Sequence, residues 1–100
     1  MRISLTDSAI NDLQEIQNYY DQEDLPAIGK RLIQTLITQI ETLNDFPEIG
    51  RITPEFAETR IRELIRPPYR IVYLLDAEAV HIIRIWRSER LLQLPPLAIN

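Results

Sequence analysis

The chain has 100 residues, 45% apolar and 26% charged, with no cysteine and a formal charge of −4. That length and composition suit one globular domain over residues 1–100 and exclude a disulfide scaffold, a thiolate metal site and a cysteine nucleophile. The longest apolar runs are four or five residues, too short to span a membrane, and residues 1–12 carry no apolar signal segment.

Arg2–Leu5 reads as a short strand with Ile3 and Leu5 on one face. Thr6 or Asp7 then offers a helix N-cap. Ala9, Leu13, Ile16 and Tyr20 form one apolar helical stripe, with Asn11, Asp12, Glu15 and Asn18 outside it. The polar run Asp21-Gln22-Glu23-Asp24 and the following Pro26 mark a turn and a new helix start. Ile28, Leu32, Leu36, Ile40 and Leu43, broadened by Ile33 and Ile37, form the second stripe, which ends at Phe46-Pro47. Two helices joined so briefly predict an antiparallel hairpin. Phe46 to Arg51 is expected to turn, and the stretch to Thr59 to be a surface loop or one helical turn.

Alternation then takes over. Arg60 to Arg66, Tyr69 to Leu75 and Val80 to Trp86 read as strands, broken by Pro67-Pro68 and by a hairpin loop at Asp76 to Ala79. The last two are apolar on both faces and are expected to be central. The apolar tail Leu91 to Asn100 is expected to pack on the sheet, with a partner patch as the alternative. The predicted class is α+β: an N-terminal strand, an α-helical hairpin and a three-stranded, mainly antiparallel sheet.

Charge is unevenly placed. Up to Thr59 there are four basic and eleven acidic residues, a net of −7; beyond it, seven arginines and four acids give +3. Ten of the eleven basic residues are arginine, the side chain suited to bidentate contact with carboxylate or phosphate. Arg60, Arg62 and Arg66 are expected to share one face of their strand. Arg70 is expected to share a face with Val72 and Leu74, and Arg84 with Ile82 and Trp86, opposite Arg87. A cluster of these arginines on an open sheet face could hold phosphates, dock an acidic peptide segment, or be ordinary solvated strand charge.

Other chemistry is thin. Two glycines, Gly29 and Gly50, cannot build a phosphate-cradling loop. The lone His81 reads as structural, Ser4, Ser8 and Ser88 show no paired base, and no ligand spacing predicts a metal or cofactor. The acids Asp21, Glu23, Asp24, Glu55 and Glu58 are expected to face solvent.

Three segments, FPEIGR (Phe46 to Arg51), IRELIRPPYRIVYLLD (Ile61 to Asp76) and VHIIRIWRSER (Val80 to Arg90), in this order after a helical hairpin, resemble the ParE/RelE toxin superfamily of type II toxin–antitoxin modules. The likeness covers nearly the whole chain and weakens after Arg90. It implies a cytoplasmic bacterial toxin associated with growth arrest and plasmid stabilisation. The toxin would be neutralised by a cognate antitoxin and would itself make no sequence-specific DNA contact. ParE-like members poison DNA gyrase by binding; RelE-like members cleave mRNA on the ribosome. Carried over from the RelE pattern, the cleavage residues fall on Arg62, Arg70 and Arg90, with Arg60 nearby. The catalytic tyrosine position falls on Pro96, and Arg87-Ser88 stands where related nucleases carry a His-Tyr pair. The resemblance therefore favours a ParE-like binding toxin. Its target or antitoxin contacts are expected at Arg60, Arg62, Arg70, Arg84, Trp86, Arg87 and Arg90. The acidic first half predicts Lys or Arg on the antitoxin segment that docks against the helices.

Overall fold

The computed structural model describes residues 2–56 and 58–87. Strand β1 (Arg2–Leu5) leads into helix α1 (Asp7–Gln22). The Thr6 side chain caps that helix by accepting from the Ala9 N–H at 3.1 Å. Asp24, in a left-handed conformation with φ 63°, turns the chain into helix α2 (Pro26–Glu41), whose first residue is the proline. Gly29 lets the two helices approach closely: a Cβ there would stand 2.9 Å from Tyr20 Cβ. A single 3-10 turn, Thr42–Asn44, ends the hairpin.

Four further strands follow: β2 (Arg51–Ile52), β3 (Ile61–Arg66), β4 (Tyr69–Leu75) and β5 (Ala79–Arg87). They form one five-stranded sheet in the order β1-β5-β4-β3-β2, in which β1 pairs parallel to β5 and the rest are antiparallel. The α+β class and the interior places of β4 and β5 agree with the sequence reading. The two-residue strand β2 is a feature that the reading placed within a turn; so short a run carries no alternation to detect.

The helices cover one face of the sheet. Ala9, Ile16, Leu36, Ile40 and Leu43 meet Tyr69, Ile71, Tyr73, Val80, Ile82 and Ile85, with Leu13, Tyr20, Leu32 and Ile33 packed at the margin. Ile28 lies 42% exposed, at the solvent end of its stripe.

A register shift between Val72 and Tyr73 changes the expected faces. Tyr73 pairs with Ile82, but Val72 pairs with Arg84, so Ile83 is an extra residue in β5. Ile82 therefore faces the helices, whereas Arg84 and Trp86 point to the open side. The sequence expectation that Ile82 and Arg84 share a face fails there, because strict alternation cannot anticipate a bulge. Arg87 does lie opposite Arg84 and Trp86, paired with Tyr69.

On the helix-covered face the Tyr73 hydroxyl fixes the turn that precedes β2. It donates to the Pro47 carbonyl at 2.8 Å and accepts from the Gly50 N–H at 2.9 Å. Burial pushes the Tyr73 phenol pKa up. A Cβ at Gly50 would lie 2.6 Å from the hydroxyl oxygen and 2.8 Å from the Glu63 carbonyl, leaving no room for any side chain. Gly50→Ala is expected to destabilise the protein by about 1–3 kcal/mol, read from urea unfolding midpoints, because backbone as well as a buried ring must move.

Candidate functional site

The open face of the sheet carries the arginine-rich set. Direct cross-strand pairing places Arg51, Glu63, Val72 and Arg84 in one row and Ile65, Arg70 and Trp86 in the next. Its centre is Glu63, whose side chain is fully buried. One carboxylate oxygen accepts from Arg51 Nε at 2.5 Å; the other accepts from Arg70 Nε at 2.7 Å and also from Arg70 Nη2. Arg70 is itself 6% exposed. Its terminal nitrogens donate to Glu55 Oε2 and Oε1 at 3.1 and 3.0 Å, a bidentate fork. Burial alone would depress the Arg70 pKa, but the bonds to Glu55 and Glu63 carry it above its ordinary value. The Arg70 bonds in turn hold the Glu55 carboxyl below the usual carboxylate range, against the opposing effect of burial.

The sequence places Glu55 in a turn facing solvent. Instead it reaches back from the loop after β2 onto β4, a contact set by chain reversal and invisible in sequence order. Glu58 pairs with Arg60, whose side chain is 61% exposed.

The predicted arginines do not form one patch. Arg62 pairs with Tyr73 and so lies on the face opposite Arg70. Its Nη1 donates to the carbonyls of Glu48 and Gly50 at 3.2 and 3.0 Å, supporting the turn under β3. Arg66 pairs with Tyr69 on that same side. Arg62 and Arg70 thus cannot act together on one ligand from one face. Arg90 and the tail from Leu91 lie outside the described residues.

A second cluster forms at the edge of β5. Strand β1 stops opposite Ile82, so the α1 side of β5 has no strand neighbour beyond that point among the described residues. Thr6 accepts the first duties, its hydroxyl donating to the Ile83 carbonyl at 3.1 Å. Asp12 takes the next: its Oδ2 accepts from the Ile85 N–H and from Arg84 Nε, both at 2.8 Å, and its Oδ1 from Arg84 Nη2 at 3.0 Å. Asp12 is 8% exposed, although its place in the helical pattern predicted a solvated position. No apolar periodicity marks an acid that satisfies a strand edge. The Asp12 bonds raise the Arg84 pKa, and the guanidinium stacks 4.8 Å from the centre of the Trp86 ring. Arg87 stacks 5.6 Å from the Tyr69 ring centre, and burial pushes that phenol up. These groups line a groove of about 290 Å³ between α1 and β5, which also takes in Glu15 and Tyr19.

Parallel pairing of Ser4 with His81 creates a third arrangement that sequence spacing could not show. Ser4 Oγ lies 3.0 Å from His81 Nδ1, and His81 Nε2 lies 3.0 Å from Asp76 Oδ2. Asp76 also accepts from the Glu78 and Ala79 N–H groups at 2.9 and 2.7 Å. The adjoining hollow is lined by Arg2, Asp76, Ala77, Glu78, Ala79 and His81, not by Ser4. The row ties β1 and the β4–β5 turn to β5, which agrees with a structural histidine. Among the described residues no three His, Asp or Glu side chains gather as a metal site, and no helix is long and apolar enough to cross a membrane.

Residues 3–92 match the family model of the ParE toxin of the type II toxin–antitoxin system parDE. The chain belongs to the ParE toxin family. It is 37% identical over 84 residues to toxin RelE2 of Caulobacter vibrioides, covering 83% of this chain and 90% of that protein. Its fold matches a chain of the chromosomal ParDE system of P. aeruginosa with a TM-score of 0.72 at 24% identity, covering 87% of this chain and 95% of that one. It also matches a chain of the RelBE2 toxin–antitoxin complex of Mycobacterium tuberculosis with a TM-score of 0.63 at 22% identity, over 87% and 96% of the two chains. The protein is therefore a type II toxin of the ParE/RelE group, with the fold that the sequence resemblance implied.

Two expectations follow for this toxin's framework. Glu63→Ala should cost about 3–5 kcal/mol in unfolding free energy, because it leaves a buried guanidinium short of its counter-charge. Arg51→Ala, whose side chain is 61% exposed, should cost only about 0–1 kcal/mol. The second concerns pH. Backbone N–H bonds from Glu78, with the His81 contact, lower the Asp76 pKa from 3.8 to about 2. Its folded pKa is depressed, so its contribution is full above 3.8 and fades as pH falls towards 2. The stability difference between the native protein and Asp76→Ala, followed by thermal melts in acid, should shrink across that window.

Proposed function

We propose that this protein is a ParE-like toxin, a single domain over residues 1–100, that acts in the bacterial cytoplasm by binding DNA gyrase and is neutralised by a cognate antitoxin. The match to the ParE family model over residues 3–92 carries the reading. The state of the arginines supports it. Arg70 is spent on two carboxylates and Arg62 on backbone carbonyls across the sheet. A net charge of −4 is likewise ill suited to a polynucleotide substrate.

The antitoxin reading draws on the groove between α1 and β5. Beyond Ile82 the edge of β5 has no strand neighbour among the described residues, Thr6 and Asp12 hold its Ile83 carbonyl and Ile85 N–H, and aromatic and charged side chains line the adjoining groove where a partner segment would dock. Arg84, Trp86 and Arg87 are the proposed contacts there, and Arg60 contributes an exposed charge at the opposite end of the sheet.

A second reading, a ribosome-dependent mRNA endonuclease using Arg62, Arg70 and Arg90, rests on the likeness to toxin RelE2. An inactive, partner-binding member of the fold is the third. Purified toxin added to a gyrase supercoiling assay should inhibit it, and antitoxin encoded beside it should relieve the inhibition. In a cell-free translation reaction followed by primer extension, no new mRNA ends should arise. Codon-specific mRNA ends with unimpaired supercoiling would establish the endonuclease instead. Normal growth on induction, with neither effect in vitro, would establish the inactive member.

A further inference from the structure

The two carboxylates on Arg70 are not equivalent. Glu63 is fully buried and shared with Arg51, so it belongs to the framework. Glu55 stands on the loop after β2, its side chain 34% exposed, and covers both terminal nitrogens of the guanidinium in a parallel fork. Rotation of Glu55 about its own side-chain bonds uncovers two fixed donors without disturbing the pair beneath them. The remaining set, Arg51 and Arg70 against Glu63, then carries one net positive charge. This is a preorganised carboxylate site whose present occupant is local, replaceable and partly solvated.

Exposed apolar side chains lie near it, beside the charged Arg51. Ile65, directly paired with Arg70, is 44% exposed, and Phe56, next to Glu55, is 47% exposed. Trp86 pairs with Arg70 on the other side. A charged fork within an apolar rim fits an acidic side chain flanked by apolar ones on a protein segment. It fits a polynucleotide less well, because a chain of net charge −4 repels a phosphate backbone beyond the one local site.

We infer that the Arg70 fork is a docking site for a partner protein's carboxylate, presented on an acidic and apolar segment, and that Glu55 holds that carboxylate's place until the partner displaces it. This site lies on the open face of the sheet; Arg70 does not line the groove between α1 and β5, and Trp86 stands between the two. It holds whichever macromolecule the toxin acts on, so it stands or falls separately from gyrase inhibition.

Trp86 is the only tryptophan in the chain; it pairs with Arg70 and also lines the groove, so a fluorescence change that requires Arg70 reports occupancy of the fork. The probes are a capped Leu-Glu-Leu-Glu-Leu peptide, its glutamine counterpart and a short oligothymidylate. An internal competitor lowers apparent affinity by the fraction of time the site is open, so Glu55→Ala should bind the acidic peptide about tenfold or more tightly than the native protein. The gain should weaken with salt and vanish in Glu55→Ala combined with Arg70→Lys, which keeps a charge beside Glu63 but has no fork. Thermal melts establish that each variant folds; if the double variant does not, the glutamine peptide supplies the test, since it should not bind. Equal affinity of native protein and Glu55→Ala overturns the inference. So does equal binding of the glutamine peptide, or tighter binding of oligothymidylate than of the acidic peptide.

Discussion

The structure turns on one buried carboxylate. Glu63 sits on the middle of β3 with no exposed side-chain surface and receives Arg51 from one neighbouring strand and Arg70 from the other. An unpaired charge at that depth would be costly, so Glu63 and the buried Arg70 must be placed together, with the exposed Arg51 adding to the pair from the edge. Once placed, they fix the register of β2 and β4 on β3. Arg70 then extends the network to Glu55 and ties the following loop to the open face. The same act takes the best-placed arginine of the sheet out of general circulation. An anionic partner meets Arg70 only by displacing a carboxylate already there.

A second knot lies on the other side of the same strands. The Tyr73 hydroxyl bonds Pro47 and Gly50, and Arg62 bonds the carbonyls of Glu48 and Gly50. Two of the three segments that carried the family resemblance, Phe46 to Arg51 and Ile61 to Asp76, are therefore wired to one another. The Pro47 and Gly50 turn needs Tyr73, and Arg51 needs Glu63, which needs Arg70. Their joint presence is explained by folding. They identify the toxin family for that reason and are silent on whether gyrase or the ribosome is the target, since none of these bonds requires a target.

The edge of β5 is managed by helix α1 rather than by another strand. Thr6 and Asp12 satisfy its backbone where β1 ends, and Asp12 also holds Arg84 against Trp86. This protects the edge in the free toxin while leaving a groove beside it. The groove and the Arg70 fork lie at different places on the molecule, one around the sheet edge and one on the open face.

The amino-acid sequence by itself determined the elements other than the two-residue β2, their order and the α+β class. Apolar periodicities of 3.6 and 2 are local properties, and the caps and breakers Thr6, Pro26 and Pro67-Pro68 act on their own neighbours. Tertiary structure alone decided which charged side chains meet. Parallel pairing of β1 with β5 brought Ser4 to His81, although 77 positions separate them. The bulge at Ile83 reversed the relation of Arg84 to Ile82. Helix docking buried Asp12, and chain reversal laid Glu55 on Arg70. Electrostatic pairing acts over a few ångströms in space and leaves no period along the chain, so the uneven charge visible in the sequence became ion pairs rather than one basic face.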